Sequence, residues 1–99
     1  MSITVSLMSK QQGELKSFLD SYFNKDTGID DDVIEWIYVY RNAADALDII
    51  NAAMDNDEKN HISVWMQIED DDIIEITKRN RSKITNRVLN MINISVGNI

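Results

Sequence analysis

The strongest constraint on the fold is an alternation of side chains in residues 61–69. Every second position there is aliphatic, and these positions are Ile62, Val64, Met66 and Ile68. Successive side chains of a β-strand point to opposite faces, so a period of two predicts a strand with one buried face. One strand cannot cover its own apolar face, and the chain must therefore build a sheet that other elements cover.

Two further segments are also predicted to be strands. Ile3, Val5 and Leu7 alternate with hydroxyl side chains, which again indicates a half-buried strand. Val33–Tyr40 is β-branched and aromatic almost throughout, which is typical of a central strand covered on both faces. Apolar residues of the same region also recur at helical spacing, so a helix over residues 29–41 remains an alternative.

The acidic run Asp70–Asp72 separates the alternating segment from a shorter apolar one. Aspartate tolerates turn geometry, and its carboxylate accepts local backbone hydrogen bonds, so we interpret this run as a hairpin turn. Ile73–Thr77 then returns as a short fourth strand.

Helical spacing of apolar residues appears in three segments. The first covers residues 10–24 and follows Ser9 and Gln12, whose spacing is that of a capping box. The second covers residues 43–54 and places apolar side chains on one face and acids on the other, after Asn42 as the N-cap.

The third helical segment has apolar residues on one face from Ile84 to Ile92, after Asn80 or Ser82 as the cap. The predicted order of elements is therefore β-α-β-α-β-β-α, in one domain that covers residues 1–99. Such elements most naturally form an α+β fold, a two-layer sandwich in which three helices cover mainly one face of a four-stranded sheet.

Composition excludes several classes of protein. The chain has 99 residues, of which 43% are hydrophobic, and this is enough for one core without staples. The absence of cysteine excludes disulfides, thiolate nucleophiles and cysteine-ligated metal centres. No stretch approaches the roughly 18 consecutive apolar residues of a membrane span, and no leader is recognisable at the N-terminus. We expect a soluble cytoplasmic protein without a membrane contact or a cofactor.

The net charge of −7 is distributed unevenly. Residues 1–76 hold all seventeen acids and five bases, a net charge of −12, whereas residues 77–99 hold five bases and no acid, a net charge of +5. The body of the protein should therefore repel nucleic acid and attract basic partners. Two acidic runs supply the candidate contacts to such a partner: Asp30, Asp31, Asp32, Glu69, Asp70, Asp71 and Asp72.

Aromatic residues are candidate anchors for a partner, because they dominate interface energies. Two registers are open for Val33–Tyr40. In one register, Trp36, Tyr38 and Tyr40 lie on an uncovered sheet face, a layout typical of RNA-recognition folds and of sheet-to-sheet dimers. Trp65 would lie on that same face. In the other register the three β-strand aromatics are core residues and only Trp65 stays outside. We select Trp36, Tyr38 and Trp65 as the candidate anchors.

Metal binding has little support in the sequence. Asp55–Asn60 begins like a calcium loop, but Lys59, Asn60 and Met66 stand where that loop requires a ligand, a glycine and a bidentate glutamate. The two acidic runs would form a cation pocket only if they meet, and the order of elements does not bring them together. We therefore predict no metal site.

Few residues favour catalysis. His61 and Ser63 point to the same side of a strand, but such neighbours stand roughly 6–7 Å apart, beyond hydrogen-bond reach. Glu35 interrupts an apolar strand, and a partly buried carboxylate has a raised pKa that suits an acid or a base. The simpler interpretation places Glu35 on the wetter face of the strand. We predict no enzyme and no catalytic residue.

The basic segment offers an alternative function, nucleic-acid binding, through Lys78, Arg79, Arg81, Lys83 and Arg87. It enters a helix whose N-terminal amides would add to anion binding. However, no lysine or arginine is interleaved with the strand aromatics, and the acidic body opposes phosphate. We prefer the interpretation in which these bases pair with acids of the body and orient the last helix.

Charge and size predict a small acidic non-enzymatic module for protein–protein interaction with a basic partner. Small acidic domains that mask basic active sites, such as immunity proteins and antitoxins, use charge to speed association, and the analogy rests on charge and size alone. One alternative is a homo-oligomeric structural protein, such as a homodimer, that closes an aromatic sheet face. A nucleic-acid binder is the other, and an enzyme ranks last.

Overall fold

The computed structural model describes residues 2–56 and 61–97, with side chains as far as Met91. The elements in chain order are β1 (Ile3–Met8), α1 (Glu14–Phe23), β2 (Glu35–Tyr40), α2 (Ala43–Asp55), β3 (Ser63–Ile68), β4 (Ile74–Ile76) and α3 (Arg81–Gly97). They form the predicted α+β fold in the predicted order. Most of the polar loop Asp55–Asn60 lies outside the described residues. No helix in the described ranges is long and apolar enough to cross a membrane.

The first strand of the chain, β1, lies inside the sheet. The strand order is β2-β1-β3-β4, and every neighbouring pair is antiparallel. Ile3 pairs with Tyr40 of β2 on one side and with Ile68 of β3 on the other, and Met8 at the far end of β1 pairs with Glu35. The two edges of the sheet are therefore β2 and β4.

One face of the sheet packs against the helices. The aliphatic positions of β1 and β3 point into this core, as the period of two predicts: Ile3, Val5, Leu7, Val64, Met66 and Ile68. α2 contacts β1, β2 and β3, and both α1 and α3 pack against α2. The helices contribute buried residues that include Leu15, Leu19, Ile49, Ile50, Ile84 and Val88. Full burial of one such side chain contributes roughly 1.5–3 kcal/mol.

β2 differs most from its prediction. The sequence of Val33–Tyr40 predicts a central strand covered on both faces, but β2 begins at Glu35 and forms an edge of the sheet. The helical alternative for residues 29–41 is wrong as well. β-Branched and aromatic residues favour extended backbone wherever the strand lies, so the pattern identifies a strand but not its neighbours.

The register of β2 decides which of its backbone groups face away from β1. The Ser9 N–H donates to the Ile34 carbonyl at 2.9 Å, and the strand pairing continues in the same register. Hydrogen-bonded pairs alternate along antiparallel strands, so the N–H and C=O groups of Glu35, Ile37 and Val39 point away from β1. We call the side of β2 that carries these outward N–H and C=O groups the β2 edge.

The β4 edge is short, and a side chain binds it. β4 has three residues, and its middle residue, Glu75, faces outward by the same alternation. Asn80 Nδ2 donates to the Glu75 carbonyl at 2.9 Å, and Asn80 Oδ1 accepts from the Thr77 N–H at 2.8 Å. The Asn80 carbonyl accepts from the Ile84 N–H at 3.0 Å, and α3 begins at the next residue, so of the two predicted caps, Asn80 and Ser82, it is Asn80 that directly precedes the helix.

α1 begins later than predicted. The capping box of Ser9 and Gln12 is wrong, because α1 starts at Glu14, after Gly13 in the left-handed region at φ 79°. Ser9 is buried, and its hydroxyl donates to Glu14 Oε1 at 2.9 Å. The Gly13 N–H donates to the Asp31 carbonyl at 2.8 Å, so the loop before β2 is tied to the start of α1.

α2 and β3 agree most closely with the sequence pattern. The predicted N-cap of α2 is confirmed, because Asn42 Oδ1 accepts from the N–H groups of Ala44 at 2.8 Å and Asp45 at 3.3 Å. β3 occupies Ser63–Ile68, within the alternating segment.

Candidate functional site

Exposed apolar side chains surround the β2 edge. Ile37, Tyr38 and Val39 expose 55%, 53% and 54% of their surfaces. Free edge strands pair readily with another chain, and native proteins usually block them with lysine, proline, a bulge or a covering element. β2 contains neither lysine nor proline, and its one charged residue is Glu35. β2 is therefore the candidate site for a protein partner.

The aromatic residues of β2 lie on the helix side of the sheet. Tyr38 pairs directly with the core residue Val5, and directly paired residues share a face. Of the two registers left open by the sequence, the one that places Trp36, Tyr38 and Tyr40 on an uncovered face is wrong. Because β2 is an edge strand, the helices cover its aromatic side only in part.

Six of the seven aromatic residues form one connected group between α1 and β2. We call this group the aromatic cluster, and its members are Phe18, Tyr22, Phe23, Trp36, Tyr38 and Tyr40. The rings of Trp36 and Tyr38 are nearly parallel, with centroids 5.8 Å apart. Phe23 joins the helix to the strand at 6.4 Å from Trp36. Such contacts each contribute about 0.5–1.5 kcal/mol beyond the area they bury.

Two tyrosine hydroxyls of the aromatic cluster stay protonated at neutral pH. Tyr22 donates to Asp48 Oδ2 of α2 at 2.5 Å, and burial, together with this hydrogen bond, raises the pKa of Tyr22. Burial raises the pKa of Tyr40 to about 12, with smaller contributions from nearby tyrosine and aspartate side chains. These two hydroxyls therefore carry no charge, but acids of α2 lie beside them.

The loop after α1 borders the exposed side of the aromatic cluster. Asp20 Oδ1 accepts from the Thr27 N–H at 2.9 Å and from the Thr27 hydroxyl, and Asp20 Oδ2 lies 2.9 Å from Lys16 Nζ. These bonds, the Thr27 hydroxyl first, lower the pKa of Asp20 to about 2. Thr27 and Lys25 line a depression of about 410 Å³ that also contacts Trp36. The aromatic cluster thus has an opening to solvent.

The opposite sheet face has no covering element among the described residues, and we call it the open face. Directly paired residues form a row across it, which consists of Ile37, Ser6, Trp65 and Glu75. A depression of about 340 Å³ lies on this face, and Trp65 Nε1 is buried without a hydrogen-bond partner in the described structure. The open face and the aromatic cluster lie on opposite sides of the sheet. The three predicted anchors therefore do not form one surface.

β2 lies in one of two strongly acidic segments of the chain. The segment from Asp20 to Asp48 holds eight acids and two bases, a net charge of −6, and the segment from Asp55 to Glu75 holds eight acids and one base, a net charge of −7. Asp30–Asp32 lie just before β2, and Asp45 lies on α2 close enough to Tyr40 to affect its pKa. The field around the exposed strand is therefore negative and favours a cationic partner.

The two predicted acidic runs lie at opposite ends of the sheet. Asp30–Asp32 precede Glu35, which pairs with the last residue of β1, whereas Glu69–Asp72 follow Ile68, which pairs with the first. The length of a six-residue strand separates these ends by about 17 Å. The runs do not form one surface, and within residues 2–56 and 61–97 no group of acids and histidine is placed to hold a metal ion.

Two bases of the basic segment pair with acids in other elements. Arg81 donates to Asp55 at 2.7 Å, and this hydrogen bond to the guanidinium lowers the pKa of Asp55. Arg81 also donates to Asn51 at 3.0 and 3.1 Å. Arg87 lies 3.1 Å from Asp71 in the β3–β4 turn. These bonds fasten α3 to its neighbours. The other three bases are exposed and form no ion pair within the described structure: Lys78, Arg79 and Lys83.

The residues considered for catalysis do not come together. Glu35 is exposed on the open face, in agreement with the simpler interpretation of this position. His61 is exposed, and its backbone N–H donates to Glu14 Oε1 at 3.1 Å. His61 and Ser63 line a depression of about 480 Å³ without an acidic side chain among its described lining residues. The described structure has no cleft that joins Glu35 to His61.

A further depression, of about 720 Å³, lies beside the start of α1 and the end of α2. Neutral polar side chains such as Gln11 and Ser17 make up most of its lining. Its two acids, Glu14 and Asp55, already bond to other side chains. It therefore offers less to a partner than β2 does.

Sequence reasoning misses Ile37 and Val39 as candidate contacts. Their residue types indicate a buried strand, and only the strand order shows that they lie at an edge. The sequence of β2 lacks the lysine and proline that commonly protect edge strands. This absence does not identify an unprotected edge, because buried strands lack these residues too.

No family model, curated protein or solved structure matches this chain. The geometry around β2 is therefore the basis for assigning a function.

Proposed function

We propose that this protein is a non-enzymatic interaction module that binds a basic protein partner at β2. One observation carries the proposal: the exposed apolar strand of the sheet lies within a strongly acidic segment, residues 20–48, whose net charge is −6. Either property alone has a simpler explanation, because single exposed apolar residues are common and acidic runs promote solubility. The presence of both properties at one strand supports a binding site for a protein partner.

Apolar and charged groups have different roles in this proposal. Burial of Ile37, Tyr38 and Val39 stabilises a complex at roughly 25 cal/mol per Å² of apolar surface. The surrounding acids steer a basic partner and raise the association rate, an effect that falls with ionic strength. An inhibitor that masks a basic active site is one role that needs both an apolar contact surface and acidic residues around it.

Native mass spectrometry of the protein recovered gently from its host tests the proposal. We expect an additional mass that matches a second protein with a basic surface. The acids near β2 can then be neutralised in the triple variant Asp30→Asn, Asp32→Asn, Glu35→Gln, whose side chains form no hydrogen bond or ion pair in the described structure. We expect this variant to bind the partner about tenfold more weakly at low salt.

A matched variant changes the same charge elsewhere. Asp70→Asn, Asp72→Asn, Glu75→Gln removes three acids near β4 and should leave the affinity nearly unchanged. Equal losses from the two triple variants would contradict a site at β2. Extra mass from nucleic acid or metal, or a bare single chain, would contradict the proposed function itself.

A further inference from the structure

The backbone of β2 can accept another strand. The N–H and C=O groups of Glu35, Ile37 and Val39 point away from β1, and no described group hydrogen-bonds to them. An extended segment that lies along β2 would pair with these groups, the mode of peptide recognition known as β-strand addition. Main-chain hydrogen bonds then supply affinity, and alternate side chains supply specificity.

The two sides of an added strand would meet different surfaces. Side chains on the helix side would lie beside Trp36, Tyr38 and the rest of the aromatic cluster, with the acids of α2 behind it. Side chains on the other side would extend the open face beside Ile37 and Val39. The first surface favours cations that stack on aromatic rings, and the second favours β-branched apolar residues.

Charge distinguishes between the candidate occupants. Pairing of β2 with β2 of a second copy would bring together two segments that each carry a net charge of −6. A strand with arginine or lysine at alternate positions would instead meet a field of opposite sign. The observations therefore favour a basic partner over a second copy of this chain.

We infer that the partner binds as an added β-strand along the β2 edge, with arginine or lysine over the aromatic cluster and β-branched apolar residues over the open face. This inference rests on the proposed function and specifies the chemistry of the partner segment.

A designed peptide tests this inference with the full chain. The probe is as long as β2, has blocked ends, and alternates arginine with valine. A control peptide has the same composition with all arginines grouped at one end, so its charge is equal but its two faces are mixed. Calorimetry measures affinity, and amide chemical shifts locate the site. We expect the alternating peptide to bind about tenfold more tightly and to shift the amides of Ile37 and Val39.

A pair of variants locates the strand. Ile37→Lys keeps the β2 backbone but places a cation on the edge, and it should weaken binding of the alternating peptide about tenfold. Ile73→Lys makes the same change at a residue that is 61% exposed near β4, and it should leave the affinity nearly unchanged. Circular dichroism of both variants verifies the fold before binding is compared.

Three outcomes would overturn the inference. Equal affinity for the two peptides would mean that charge alone drives binding, and a basic partner would still be supported. Failure of both peptides to bind while a host partner is captured would reject strand addition but not the proposed function. A concentration-dependent mass of two chains, lost in Ile37→Lys, would identify a second copy as the occupant.

Discussion

At the β4 edge, Asn80 donates its side-chain amide to the outward carbonyl of Glu75 at 2.9 Å, whereas no described group bonds the outward groups of the β2 edge. β4 has three residues and an acid in the middle, and β2 has six residues that are almost all apolar. Short length, charge and an occupied backbone group are common ways to prevent edge pairing. β4 has all three, and β2 has only Glu35 at its start.

This difference shows that exposure at β2 is not a general property of the sheet. The same chain protects one edge and leaves the other accessible. Unprotected edges carry a risk of aggregation, so a protein gains from such an edge only if a partner covers it.

Proline in β2 should give the largest effect and test the assignment of outward groups. The Tyr38 N–H faces β1, so Tyr38→Pro removes a ladder hydrogen bond and aromatic packing, and we expect it to lower the free energy of unfolding by about 3 kcal/mol. The Ile37 N–H faces outward, and Ile37→Pro should cost about 1 kcal/mol or less. Urea denaturation followed by circular dichroism measures both. Similar losses would show that the outward groups are assigned wrongly.

Removal of the Asn80 side chain tests the protected edge. Asn80→Ala loses the bonds to Glu75 and Thr77 and should lower the free energy of unfolding by about 1–2 kcal/mol. Asn80→Asp keeps the acceptor for the Thr77 N–H but cannot donate to Glu75, so it should lose less. Denaturant titration of both variants measures the difference. An unchanged stability in Asn80→Ala would mean that this side chain does not protect β4.

Acid should weaken the loop that borders the aromatic cluster. The Thr27 hydroxyl, the Thr27 N–H and Lys16 lower the pKa of Asp20 to about 2, below its ordinary value in an unfolded chain. The ionised form therefore stabilises the fold above about pH 4, and this contribution is lost as the pH falls toward 2. The stability of Asp20→Asn, measured by urea denaturation, should fall less steeply over this range than that of the original chain. Asp70→Asn serves as the control and should follow the original chain.

The smallest effect is expected at the exposed ion pair beside β4. Both Arg87 and Asp71 expose more than half of their side chains, so Arg87→Gln should lower the free energy of unfolding by about 0.5 kcal/mol or less. Arg81 is more buried and bonds two side chains of α2, so Arg81→Gln should cost about 1 kcal/mol. Thermal denaturation at low and high salt compares them. A larger loss in Arg87→Gln would mean that the β3–β4 turn depends on this pair.

The sequence predicts local structure well where one period dominates. The alternation in β3 and the amphipathic pattern with Asn42 at the start of α2 are both confirmed. The start of α1 is missed, because Ser9 has the spacing of a cap but is buried directly after β1. A capping pattern cannot reveal that its serine already bonds the backbone of Ile34, directly before β2, and the side chain of Glu14.

The candidate site was less predictable than the fold. The acids of Asp30–Asp32 and the aromatic residues Trp36 and Tyr38 are found near one another, but Trp65 and Glu69–Asp72 lie elsewhere. Strand order and register decide these positions, and they depend on contacts between residues far apart in the chain. The sequence therefore identifies candidate residues but does not show which of them share a surface.

The inner position of β1 determines when the sheet can close during synthesis. Met8 can pair with Glu35 once β2 has been synthesised, whereas Ile3 also pairs with Ile68, which is synthesised much later. Contacts between such distant residues slow folding, because a long loop must close before they stabilise the chain. Before β3 has been synthesised, the backbone groups of β1 that pair with β3 in the folded sheet have no strand partner. We therefore expect a stage of synthesis at which one side of β1 is accessible to molecular chaperones.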